Sequence, residues 1–182
     1  MQRAANLILV GPMGSGKSAL GRLVAARLGL EFADTDRRIE KRTGVSIATI
    51  FEHEGEAGFR ARERQVVAEL CAGRDRVIAT GGGVVLDAAN RACLRASGVV
   101  VHLHVDVETQ LARLARDRSR PLLEDPDRRG VLERLAAERA PLYAEVADLQ
   151  IDVAACSVER ACERLFHLLP PGWLPASTST SA

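Results

Sequence analysis

Gly11 to Ser18 read G-P-M-G-S-G-K-S, filling every fixed position of the pattern G-x-x-x-x-G-K-[ST]. Residue types at that spacing cradle the phosphates of a nucleoside triphosphate. Glycine-rich backbone approaches phosphate oxygens closely, and the loop amides with the following helix N-terminus supply donors and partial positive charge. Lys17 adds a point charge for the β and γ groups, and Ser18 offers a hydroxyl to Mg²⁺. A glycine-rich turn with a chance lysine is the competing reading. It has to explain every fixed position being filled between an apolar run and a helical pattern, the setting the motif needs.

A triphosphate site also needs an acid for its metal. The apolar run 77–79 leads into Thr80 and glycines rather than into an aspartate, so the nearest candidates are Asp34 and Asp36 in D-T-D. A spacing of two puts both on one side of an extended strand. One acid could then serve Mg²⁺ through water while the other faces a substrate hydroxyl. The same pair could instead cap a helix that starts near Arg37. Gly81-Gly82-Gly83 permits close approach by a small ligand, or makes a plain turn. Arg60, Arg120 and Arg139 each offer a planar fork suited to carboxylate or phosphate. Spacing alone does not separate them from solvated surface arginines.

These residues need elements to position them. Apolar runs at 7–10, 31–33 (weak), 77–79, 99–103 and 149–153 alternate with helical patterns at 19–28, 61–70, 109–116, 130–146 and 158–168. Alternation of this kind predicts an α/β fold, a five-stranded parallel sheet covered by helices on both faces. Ligands of such sheets bind beyond the carboxyl ends of the strands. The phosphate loop, the D-T-D segment and the glycine triplet all fall at such ends, so three loops are expected to converge on one crevice. Residues 37–60 form a helical insertion after the second strand. Residues 117–129, charged and carrying Pro121 and Pro126, suit a mobile flap over the site.

The length of 182 residues fits one domain, expected over 1–169, and a net charge of +1 gives no reason to expect nucleic acid or a membrane surface as partner. Aromatic residues are 3%, too few for base-stacking platforms. Cys71, Cys93, Cys156 and Cys162 are scattered, with no C-x-x-C pair, and are read as reduced thiols of a cytoplasmic chain. His53, His102, His104 and His167 share no ligand spacing with them, and His102 and His104 are expected to flank a strand. No secretory leader and no apolar run near the ~18 residues of a membrane span are expected. Residues 170–182 read as a disordered tail, in which Trp173 is left free to dock.

Taken together, 11–18, Asp34-Thr35-Asp36, Gly58-Phe59-Arg60 with Glu63, Thr80 to Gly83, Arg120-Pro121-Leu122-Leu123 and Arg139-Ala140-Pro141-Leu142-Tyr143 resemble the shikimate kinase family, in the family's order. The phosphate loop is shared by a vast superfamily; the other motifs are far more specific. The resemblance implies a fold like that of nucleoside monophosphate kinases, with a substrate-binding segment at about 34–62 and a lid at about 115–127. It implies transfer of the ATP γ-phosphoryl to the 3-hydroxyl of shikimate, in aromatic amino acid (chorismate) biosynthesis. Nucleotide contacts would come from Gly14, Ser15, Gly16, Lys17, Ser18, Ala19, Arg113 and Arg120. Lys17 and Arg120 would steady the transferring group. Ser18 would ligate Mg²⁺, with Asp34 acting through water. Asp36 would hold and orient or deprotonate the attacking hydroxyl. Arg60 and Arg139 would pair with the shikimate carboxylate, and Gly81, Gly82 and Gly83 would line the pocket. A monomer taking only shikimate and ATP is expected. Gluconate kinases and nucleoside monophosphate kinases share the general architecture, and D-T-D with R-P-L-L argues against both. A catalytically dead ATP-binding module would be expected to have lost Lys17, Asp36 or an arginine.

Overall fold

The computed structural model describes residues 6–115, 125–171 and 173. Five parallel strands form one sheet: β1 (Asn6–Val10), β2 (Glu31–Asp34), β3 (Arg76–Ala79), β4 (Gly98–His104) and β5 (Leu149–Asp152), in the order β2-β3-β1-β4-β5. β1 lies at the centre and pairs with β3 on one side and β4 on the other. The strand order reverses there, so a crevice opens beyond its carboxyl end. The phosphate loop leaves β1 at that point.

Alternation along β1 explains the layers. Leu7 and Leu9 face one apolar cluster, Ile8 and Val10 the other, and all four are fully buried. α1 (Lys17–Leu28) and α7 (Val158–Leu168) cover the first face through Leu20, Val24, Cys162 and Leu165. α2 (Thr35–Thr43), α3 (Ile47–Ala72), α4 (Ala88–Ser97) and α6 (Arg128–Val146) cover the second through Ile39, Val67, Leu94 and Tyr143. Each fully buried Leu, Ile or Val contributes about 1.5–3 kcal/mol over an exposed one. A strand buried on both faces therefore anchors the loop that follows it. α5 (Val107–Leu114) packs its Leu114 with Met13, Val131 and Leu132 in a third, smaller cluster beside the phosphate loop.

Every expected strand is present, the weak one included. The helices differ in detail. The insertion at 37–60 and the pattern at 61–70 are not separate: α2 is followed by one long α3, interrupted only at Gly55 (φ 69°, ψ −177°). α4 carries no sequence expectation, because it buries just Asn90, Leu94 and Ser97 and so lacks a strong apolar period. Its start is marked by Asp87, whose carboxylate accepts from the Ala89 and Asn90 amides. α6 begins at Arg128, two residues inside the stretch read as a loop, with Asp127 capping Gly130 N at 2.9 Å. His102 and His104 lie within β4 rather than flanking it. Trp173, in the segment expected to be disordered, is 5% exposed and packs into the α1/α7 core. Of the expected lid at about 115–127, residues 116–124 lie outside the described residues.

Candidate active site

Gly16 takes a left-handed conformation (φ 84°) at the N-cap of α1, which a side chain would resist, and it aims the first turn of the helix back at the loop. Lys17 is 8% exposed. Its Nζ donates to the carbonyls of Gly11 (2.7 Å) and Pro12 (2.8 Å) and to Ser15 Oγ (3.2 Å). The ammonium is thus held at the centre of the loop. Ser18 Oγ donates to Asp34 Oδ2 at 2.6 Å. The other oxygen, Asp34 Oδ1, accepts from the amides of Asp36 (3.1 Å) and Arg37 (3.2 Å). One oxygen of Asp34 thus caps α2, and the other accepts from the Ser18 hydroxyl. Ala19 is exposed on the first turn of α1, beside the loop.

A cavity of about 370 Å³ opens next to the loop, lined by Met13, Asp36, Arg60, Glu63, the glycines 81–83 and Arg139, with Ile47, Phe51 and Phe59 supplying an apolar wall. The fold thus brings Asp36, Arg60, Gly81, Gly82, Gly83 and Arg139 into one pocket. Arg60 Nη1 donates to Glu63 Oε2 at 2.7 Å and Nη2 to Glu56 Oε1 at 2.9 Å. Burial works against the Arg60 guanidinium, but these carboxylates more than offset it and raise its pKa. Glu63 is fully buried, and burial pushes its carboxyl above the usual range despite Arg60. Among the described residues, Glu63 Oε1 and Arg139 Nε are buried with no hydrogen-bond partner.

The glycine triplet is explained by proximity. A Cβ on Gly81 would stand 2.8 Å from Asp36 Oδ1 and 2.9 Å from Glu63 Oε1. On Gly83 it would meet Arg60 Nη2 at 2.2 Å. Thr35 Oγ1 accepts from the Gly81 amide at 3.0 Å, which ties the D-T-D segment to the triplet.

A second cavity, about 260 Å³, flanks the loop on the far side and is lined by Gly14, Gly16, Arg113, Val153, Cys156 and Val158. Arg113 spans it. Nη1 donates to Gly14 O (2.9 Å), and Nη2 to Val153 O (2.6 Å) and Ala154 O (3.2 Å). Arg113 and the chain after β5 thus come together beside the phosphate loop. Arg120 lies outside the described residues. Among the described residues no three His, Cys, Asp or Glu side chains cluster as a metal cage. Mg²⁺ bound with a nucleotide takes one or two protein ligands, and the Ser18–Asp34 pair fits that demand.

Sequence reasoning gave Glu63 no role, although F-R-x-x-E places it three residues from Arg60 on one helix face. It also passed over Gln110, whose Nε2 holds Met13 O at 3.1 Å, and Thr35; neither carries a local signal.

The family model described as shikimate kinase matches residues 13–170. A shikimate kinase of Stenotrophomonas maltophilia is 50% identical over 173 residues, covering 95% of this chain and 96% of that protein. One from Thioalkalivibrio sulfidiphilus is 52% identical over 165 residues, covering 91% and 87%. The solved structure of shikimate kinase from Acinetobacter baumannii in complex with shikimate superposes with a TM-score of 0.88 at 44% identity, covering 90% of this chain and 92% of that one. With the family model matched over residues 13–170 and relatives about 50% identical along nearly the whole chain, the protein belongs to the shikimate kinase family.

Proposed function

We propose that the chain transfers the γ-phosphoryl group of ATP to the 3-hydroxyl of shikimate, giving shikimate 3-phosphate and ADP for aromatic amino acid biosynthesis. The observation that carries the reading is the cavity in which Arg60, Arg139 and Asp36 stand together, one loop away from Lys17. Shikimate has one carboxylate and three hydroxyls. Arg60 and Arg139 hold the carboxylate, which fixes orientation as well as affinity. Asp36 takes the hydroxyls and orients or deprotonates the attacking one. The glycines 81–83 let the ring approach the backbone. Phosphoryl transfer needs little covalent help, so positioning and charge stabilisation supply most of the rate. Lys17 and Arg120 give that charge to the transferring group. Arg113 closes the base end. Ser18 and Asp34 would hold Mg²⁺, which would neutralise phosphate charge. A monomer is proposed with it, and the four free cysteines accord with a reducing, cytoplasmic setting.

A coupled ADP-release assay with ATP, Mg²⁺ and shikimate, beside gluconate and a no-acceptor control, tests the reading. Release that depends on shikimate alone is expected. Turnover on gluconate but not shikimate would overturn the substrate, and ATP binding without turnover on either would overturn the activity.

A further inference from the structure

The glycine triplet 81–83 lines the acceptor cavity but owns no side chains, so its position is set from outside. Backbone without Cβ atoms is the most costly to hold in one conformation. Thr35 fixes the Gly81 amide. The Gly82 carbonyl is fixed by the hydroxyl of Tyr143, which lies on α6 one turn after Arg139 and also hydrogen-bonds the Arg139 side chain. Tyr143 is 3% exposed, and its ring stacks on His102 of β4 with centroids 4.8 Å apart and planes 19° apart. His102 Nδ1 is in turn 3.2 Å from Gln150 Oε1 on β5. A chain of contacts thus runs from the edge strand through His102 and Tyr143 to the floor of the acceptor pocket.

We propose that Tyr143 is a positioning residue for the acceptor: its hydroxyl sets the Gly82 carbonyl, and His102 sets the plane of its ring. The proposal rests on the shikimate pocket assigned above. Geometry gives the contact leverage. Gly81 lies against Asp36 and Glu63, and Gly83 against the Arg60 guanidinium, at distances that leave no space for a methyl group. The Arg139 Nη1 atom is 3.6 Å from where a Cβ on Gly82 would be. A triplet released at Gly82 shifts against the groups that grip the carboxylate and hydroxyls. Burial raises the Tyr143 pKa to about 12, so the phenol stays a donor to the carbonyl across the working pH range. Burial also lowers the His102 pKa, which keeps the stacked ring neutral.

Tyr143→Phe removes only the hydroxyl, and its kinetics beside the wild type test the proposal. The expected result is a shikimate KM raised about five- to tenfold, with the ATP KM within twofold and a nearly unchanged Tm. His102→Ala should raise the shikimate KM about threefold, and His102→Phe, which restores a ring to stack on, should recover most of that. His167→Ala, at an exposed histidine of α7, is the control and should move neither KM. An unchanged shikimate KM in Tyr143→Phe, or equal rises in both KM values, overturns the proposal. Should Tyr143→Phe not fold, identical kinetics for His102→Ala and His102→Phe would overturn it instead. Wild-type protein without shikimate-dependent turnover defeats the substrate assignment itself, and titration of shikimate by calorimetry then shows whether the pocket binds it at all.

Discussion

Arg60 works in two directions, toward the cavity and toward a fully buried carboxylate. Its contact with Glu63 offsets part of the cost of burying that group, so removing Arg60 is a change of stability as well as of binding. Breaking a buried ion pair leaves one charge uncompensated; with Arg60 17% exposed and Arg139 nearby, a loss of about 2 kcal/mol is expected. Arg60→Ala should raise the shikimate KM far more than that of ATP, and steady-state kinetics with each substrate varied will show it. The pH dependence follows from the direction of the Glu63 shift. A carboxyl whose folded pKa is raised keeps its stability below the unfolded value of about 4.3 and loses it as pH rises through the folded pKa. Without Arg60 that folded pKa climbs further. Relative to wild type, Arg60→Ala should therefore recover Tm as pH is lowered toward the unfolded carboxyl value. A pH-independent Tm difference would mean that Glu63 does not feel Arg60.

At the scale of elements, α3 decides the shape of the acceptor pocket because it is broken. Ile47 and Phe51 line the cavity from before Gly55, and Phe59, Arg60 and Glu63 line it from after. A straight helix of this length could not turn both sets toward one pocket. Gly55 holds φ 69°, and nothing stands within 4 Å of where its Cβ would be, so the demand there is torsional and not steric. Gly55→Ala should cost about 1–2 kcal/mol in urea unfolding, with Gly55→Asn milder, since asparagine tolerates the left-handed region. The alanine variant should also raise the shikimate KM, because relieving the torsion re-aims the first part of the helix. A stability equal to wild type would show that the kink is held by something other than glycine.

Over the whole molecule, the two apolar clusters on either face of β1 hold the crevice open, and the chain beyond α7 completes one of them. Trp173 joins Leu165 and Leu169 at 5% exposure, on the face away from the acceptor cavity. Trp173→Ala should cost about 3 kcal/mol and lower Tm while leaving both KM values in place. As the one tryptophan in the chain, Trp173 should also report unfolding by a red shift of its emission. The alternation of apolar runs and helical patterns, the phosphate loop and the family resemblance were all legible in the sequence, because each depends on residues close together in the chain. Asp34 shows the limit of such reading. Its spacing allowed a cap or a metal acid, and only the tertiary structure brought Ser18 of another element to its second oxygen while the first caps α2. Likewise α4 was hidden by its few apolar residues, and Thr35 and Tyr143 gained their roles from partners far along the chain. Local pattern determined which elements form and which loop meets phosphate. Tertiary structure decided which side chains share a cavity, which carboxylate loses its water and what holds a loop of glycines, because those depend on packing between distant segments.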